Sequence, residues 1–228
     1  MRSLGRFGGT RAVTPYNIVY SGGSDEIVEK KSRFIANVFS VKTEEEAAAI
    51  IEETKKKYWD ARHNCFAFVL GERGGITRCT DDGEPAGTAG RPILEVLTGA
   101  NIRNVLVIVT RYFGGTLLGT GGLVRAYSQA TQAGLAASKI VAKEHGKKVI
   151  IETDYNGIGK LQYIAAQMEL TTIDTEYSDK VIMKLLVKED LCDQFVKKVV
   201  EATAGQAVID DREDIYFAIV DGEPVFPV

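Results

Sequence analysis

Two glycine-rich segments hold the residue types whose spacing suits chemistry. The first runs Asp81-Asp82-Gly83-Glu84-Pro85-Ala86-Gly87-Thr88-Ala89-Gly90-Arg91-Pro92. Its carboxylates, Asp81, Asp82 and Glu84, are the hard oxygen ligands that a magnesium ion takes when it bridges a protein and a phosphate, and His63 is the candidate acid–base partner. The plainer reading is a turn whose acids cap the next helix or pair with Arg78 and Arg91; turns of this composition are common, so it takes precedence and no metal is assigned. The second segment runs from Thr110 to Tyr127 and contains Arg111, Tyr112, Phe113, Gly114, Gly115, Gly119, Gly121, Gly122 and Arg125. Each segment falls between an expected strand and an expected helix, where free backbone N–H groups and the positive end of the helix dipole hold an anion or another chain's carbonyls.

Sharper motifs fail on specific residues. A Walker-type phosphate loop requires lysine where Thr120 stands. The dinucleotide fingerprint lacks its third glycine in Gly119-Thr120-Gly121-Gly122-Leu123-Val124. His63 and Cys65 share a strand face and Cys79 follows, but no C-x-x-C pair accompanies them, and structural zinc takes four ligands. Ser128 lies inside a helix without the G-x-S-x-G elbow that would expose a nucleophile. His63 reads as a hydrogen-bonded residue at a strand start and His145 as a linker histidine. No catalytic residue and no cofactor are assigned.

The elements that position these loops follow from periodicity. Ile27-Val28 and Phe34 to Val41 suggest two strands around a polar 29–33 turn. Thr43 with Glu46 forms a capping box for a helix carrying Ala47, Ile50, Ile51, Thr54 and Tyr58 inward. A strand over 62–70 places His63, Cys65, Ala67 and Val69 on one face and Asn64, Phe66, Phe68 and Leu70 on the other, with a partner at 76–80. A helix is predicted over 88–97. The apolar run 105–109 is the most buried strand, and a helix over 121–137 has a small-residue stripe that lets it approach the sheet closely. Beyond 144 the order is strand 148–153, helix 158–169, strands 172–177 and 181–187, helix 191–202 and strand 207–220, the βαββαβ order of a ferredoxin-like domain.

With 228 residues, 45% of them apolar and 26% charged, the chain suits one large or two small globular domains. No stretch approaches the roughly 20 apolar residues of a membrane span and the start lacks a secretory signal, so the expected home is the cytoplasm. Three cysteines predict free thiols. Net charge is +3 over residues 1–23, +1 over 24–140 and −7 over 141–228, which argues against a duplex-DNA binder. Residues 1–24, glycine-rich and acid-free, read as a flexible tail or an added extension.

His63-x-Cys65, the Asp-Asp-Gly-Glu-Pro-x-Gly-Thr-Ala-Gly-x-Pro run and the run from Val109 to Tyr127 resemble the IMPACT family in its two-domain bacterial form, over about residues 25–220. The resemblance implies an α+β chain with an N-terminal ribosomal protein S5 domain 2-like domain over 25–141 and a C-terminal ferredoxin-like domain, similar to domain V of elongation factor G, over 142–228. Eukaryotic members are translational regulators that restrain an amino-acid-starvation kinase, so translation carries over as a theme; fold likeness alone does not assign a function. The leading expectation is a non-enzymatic module that engages RNA, the ribosome or a translation-associated protein, with Arg91, Arg111 and Arg125 on phosphates and Tyr112 and Phe113 on bases. The alternatives are a magnesium-dependent enzyme using Asp81, Asp82, Glu84 and His63 on a phosphorylated substrate, and a protein-interaction module that needs no anion.

Overall fold

The structure, a computed structural model, describes residues 15–226. Most of the expected tail lies outside the described residues, but its last third is corrected: β1 (Tyr16–Ser21) is a strand. Tyr16 and Val19 are each 2% exposed, and β1 pairs in parallel with β6 (Ile102–Arg103). Six residues without clean alternation, followed by Gly22 and Gly23, give too weak a period to be read as a strand.

The next elements are β2 (Ser24–Glu29), β3 (Ser32–Ser40), α1 (Glu44–Lys57), β4 (His63–Leu70), β5 (Ile76–Thr80), α2 (Gly90–Gly99), β7 (Val105–Tyr112) and α3 (Thr120–Ala136). The sheet is antiparallel throughout, in the order β2-β3-β7-β4-β5. Alternation along its strands builds two cores. Phe34, Ala36, Cys65, Ala67, Val107 and Val109 face α2 and α3, whereas Phe68, Leu70, Leu106 and Ile108 face Ala47 and Ile51 of α1. Covered on both faces, β7 reads as a continuous apolar run.

Thr43 caps α1 as expected, accepting from the Glu46 N–H at 3.2 Å; the Glu46 carboxylate accepts from the N–H of Lys42, one residue before the cap. Helix α3 lies against β3 through its small residues. A Cβ added at Gly134 would stand 2.9 Å from the Ala36 Cβ and 3.1 Å from Val38 Cγ2.

Residues 16–142 form one compact unit and the chain from Lys143 onward belongs to a second. The second contains most of β8 (Lys139–Thr153), then α4 (Ile158–Gln167), β9 (Thr171–Tyr177), β10 (Val181–Lys188), α5 (Cys192–Ala202), β11 (Val208–Val220) and β12 (Glu223–Val225). The order β9-β10-β8-β11, antiparallel throughout, is the ferredoxin-like sheet of a βαββαβ chain. Strand β8 starts well before residue 148, and His145 lies within it instead of in a linker. Its polar residues hid the period because β11 answers them: His145 is in register with Tyr216 and Lys147 with Asp214.

The three thiols are free, Cys65 and Cys192 buried and Cys79 exposed. No helix among the described residues is long and apolar enough to cross a membrane. Gly134→Val should lower stability by about 1–3 kcal/mol through overpacking. Gly121→Ala, whose Cβ would meet nothing within 4 Å, should raise it by about 0.4–1 kcal/mol. Urea denaturation of both variants measures the contrast, and equal effects would remove close packing as the reason for the glycine.

Candidate functional site

The two glycine loops meet at a buried ion pair. Arg111, the penultimate residue of β7, shares a face with Val109 and is 6% exposed; its Nη1 donates to Glu84 Oε1 at 2.7 Å, and the two side chains are 7% and 3% exposed. The Tyr127 hydroxyl, from α3, donates to the same oxygen at 2.8 Å. Burial, with Cys65 and Glu84 beside it, pushes that phenol well above its ordinary pKa. The Cys65 thiol lies 2.9 Å from the Asp81 carbonyl and 3.3 Å from the Tyr127 oxygen, and burial pushes its pKa up to about 12. It is therefore a packed thiol and not a nucleophile.

The acids of the first loop hold the loop itself. Asp81 accepts from the N–H groups of Gly87 at 2.8 Å, Ala89 at 3.0 Å and Gly90 at 2.9 Å, closing the turn and capping the start of α2. Burial raises its pKa, but these three donors outweigh burial and hold it below the ordinary carboxylate range. Asp82, at a left-handed φ of 42°, accepts from the Asn64 N–H at 2.7 Å, and its carbonyl oxygen lies 2.9 Å from His63 Nδ1. Neither expected arginine pairs with these acids: Arg78 reaches Glu44 and Arg91 reaches Glu95. Among the described residues, the side chains that converge at metal-ligand spacing are instead His145, Glu189 and Asp214 of the second unit, where Lys147 Nζ already stands 3.2 Å from Asp214.

The second loop faces outward. Phe113 is 53% and Leu117 82% exposed. Tyr112 does not join them: one residue past Arg111 it points to the opposite sheet face, donating to Asp60 at 2.8 Å under the guanidinium of Arg33. Arg111 likewise is no open phosphate grip, since its Nη1 is committed to Glu84. Arg91 and Arg125 are exposed in the opening turns of α2 and α3. Gly114 lies on the backbone of the β2–β3 turn, where a Cβ would fall 2.0 Å from the Lys31 carbonyl carbon, and its N–H donates to Ser32 Oγ at 3.1 Å. Gly115 and Gly119 take left-handed φ values of 86° and 73°. Gly119 opens α3, to which no side chain supplies a cap.

That packing brings in residues the sequence pattern did not single out. Lys30 and Lys31 form the hairpin turn beneath Gly114, both exposed, with left-handed φ of 46° and 68°. Arg62 and Leu117 line a cleft of about 420 Å³ together with His63, Arg111, Phe113 and Leu118. Lys30, Lys31 and Arg62 have no acidic partner among the described residues. Their one sequence signal is a charged turn, which usually marks only a solvated surface.

Residues 30–135 match the family described as the Impact N-terminal domain, and residues 151–206 match a domain of unknown function, DUF1949. The chain is 38% identical over 201 residues to the IMPACT family member YvyE of Bacillus subtilis, covering 88% of this chain and 93% of that one. Identity to the IMPACT family member YigZ of Escherichia coli is 32% over 178 residues, covering 77% and 87%. A crystal structure of a hypothetical protein superposes with a TM-score of 0.53 at 29% identity, covering 87% of this chain and 98% of that one.

Arg111→Ala should cost about 3–5 kcal/mol, because it leaves the Glu84 charge buried and unpaired; Glu84→Leu with Arg111→Met should cost less than the sum of the single changes, as read by urea denaturation. Asp81→Asn replaces one of two accepting oxygens by an NH2 group that faces a backbone donor, and should lose about 1–3 kcal/mol at pH 7. With a depressed folded pKa, the aspartate stabilises above about pH 4 and loses that advantage as pH falls through its folded pKa. The gap between Asp81→Asn and wild type should therefore close in acid, and a gap independent of pH would exclude a charge-assisted cap.

Proposed function

The chain belongs to the IMPACT family, and on that premise we propose that it is a translation-associated regulatory module that binds RNA, on or off the ribosome, through the second glycine loop. Translation is the theme that family membership carries. The observation that supports RNA as the partner is the unpaired Arg62 on the cleft with the exposed Phe113 and Leu117, together with the unpaired Lys30-Lys31 turn packed against Gly114, the residue after Phe113. Cations on phosphates and an exposed ring on a base are the two components of single-strand recognition. Arg91 and Arg125 extend the positive surface along the starts of α2 and α3. A net charge of −7 over residues 141–228 favours keeping a polyanion to the first unit. The carboxylates of the first loop are taken up by backbone donors and by Arg111, which supports binding over magnesium-dependent catalysis.

Lys30→Asn with Lys31→Gly tests the reading. Asn-Gly is the residue pair this mirror-image hairpin turn prefers, so the variant should fold at least as stably while losing two cations. Crosslinking of tagged protein in its own cells, with bound RNA sequenced and bound proteins identified, should show RNA capture by wild type and its loss in this variant and in Phe113→Ala/Leu117→Ala. Capture in vitro should also weaken steeply with salt. Protein partners captured without RNA would replace the reading with a protein-interaction module.

A further inference from the structure

The chain contains one tryptophan, and it is not in a core. Trp59 is 82% exposed, although tryptophan is highly buried on average. Its indole makes no hydrogen bond, ring contact or cation contact among the described residues. The backbone beneath it is nevertheless held firmly. Helix α1 ends at Tyr58, whose N–H donates to the Thr54 carbonyl at 3.0 Å, and the Ala61 N–H donates to the Tyr58 carbonyl at 3.0 Å, closing a turn with Trp59 and Asp60 at its tip. The Asp60 carboxylate accepts from the Tyr112 hydroxyl at 2.8 Å, which ties the turn to the end of β7. An open ring on a fixed backbone loses little freedom when a ligand covers it, so less of the contact energy is spent on ordering.

The surroundings indicate which ligand. Lys55, Lys56, Lys57 and Arg62 flank the indole against one carboxylate, Asp60, a net charge of +3 over residues 55–62. Lys55 is drawn to Asp82 at 3.6 Å, but Lys56, Lys57 and Arg62 are exposed and have no acidic partner among the described residues. Three lysines in the last turn of α1 also complement its dipole, a role that accounts for the charge and not for the ring. The core of a protein interface is depleted of charged residues, whereas here the neighbours of the indole along the chain are charged apart from the half-buried Tyr58 and Ala61. Cations on either side of an open aromatic face match a strand of phosphates and bases. The turn also adjoins the second glycine loop. Trp59 and Phe113, both exposed, each stand one residue from the Asp60–Tyr112 hydrogen bond, and Arg62 lines the cleft that contains Phe113. We propose that Trp59 is a base-stacking platform for single-stranded RNA, with Lys56, Lys57 and Arg62 on the adjoining phosphates. The inference rests on the RNA-binding reading and extends its surface from the second loop to the turn after α1.

Because no other tryptophan is present, indole fluorescence of the full chain reports this position alone. Titration with oligouridylate and oligoadenylate should quench it, as a base stacks on the ring, while inorganic polyphosphate, which offers charge without bases, should not. Anisotropy of the end-labelled oligomers gives the affinity independently. Trp59→Ala should melt as wild type does, since an exposed side chain packs against little, and should bind RNA about 5- to 150-fold more weakly, the equivalent of one lost stack. Trp59→Phe, which restores an aromatic face, should recover most of that loss. Lys56→Gln with Lys57→Gln should flatten the dependence of log affinity on log salt by about 0.7 for each lost phosphate contact. RNA that binds without quenching, or that Trp59→Ala binds as tightly as wild type does, overturns the platform; loss of binding in Phe113→Ala/Leu117→Ala would then leave the second-loop reading standing. Quenching and the Trp59→Ala loss, with binding unchanged in Phe113→Ala/Leu117→Ala and in Lys30→Asn/Lys31→Gly, would support the platform and remove the second loop. If neither oligomer binds, both fall, and a protein captured from cells by wild type but not by Trp59→Ala would make the turn a protein-docking site instead.

Discussion

The Glu84–Arg111 pair is the constraint on which the geometry of both loops depends. Removing two charges from water costs several kcal/mol per ion, and mutual attraction offsets that only when the remaining hydrogen-bonding capacity is also met. Here the first loop contributes Glu84, the end of β7 contributes Arg111, and α3 contributes the Tyr127 hydroxyl. The carboxylate thus joins three elements that are distant in sequence. Neither loop can move outward without exposing half of a buried pair, so the two behave as one rigid base.

That base divides the work between the loops. Asp81 spends both carboxylate oxygens on backbone N–H groups of its own loop and the start of α2, which makes the first loop a scaffold. The second loop rests on the scaffold and turns its apolar residues to solvent. Strand alternation sets the boundary sharply: Arg111 goes into the core beside Val109, and Tyr112 goes to the opposite face to meet Asp60 and Arg33. Two neighbours in a motif that reads as one binding surface therefore have unrelated roles.

Where a single period dominated, the fold was legible in the sequence. Helix α1, strands β4 and β7 and the βαββαβ order were readable because their apolar residues recur at 3.6 or 2 positions or run unbroken. β1 was not, being short and irregular, and neither was the first half of β8, whose charged residues are matched by β11 across the sheet. The loops were legible as a location. Which of their residues face solvent was not, because that depends on pairings such as Arg111 with Glu84 across 27 positions. The lysines of the β2–β3 turn join the loop only through the close approach of Gly114 to the Lys31 backbone, a contact no local pattern encodes.

The same turn carries the clearest local conflict in the first unit. Both lysines adopt left-handed backbone angles, a conformation that costs a non-glycine residue roughly 1–2 kcal/mol and that Asn-Gly would adopt with little strain. Strain of this kind persists where the surroundings over-determine the backbone and where the side chain has other work. The first condition is met. The paired strands and the Gly114 contact fix the turn, and both lysines are exposed without an acidic partner among the described residues. The second belongs to the proposed RNA-binding reading, in which cations at fixed positions meet phosphates.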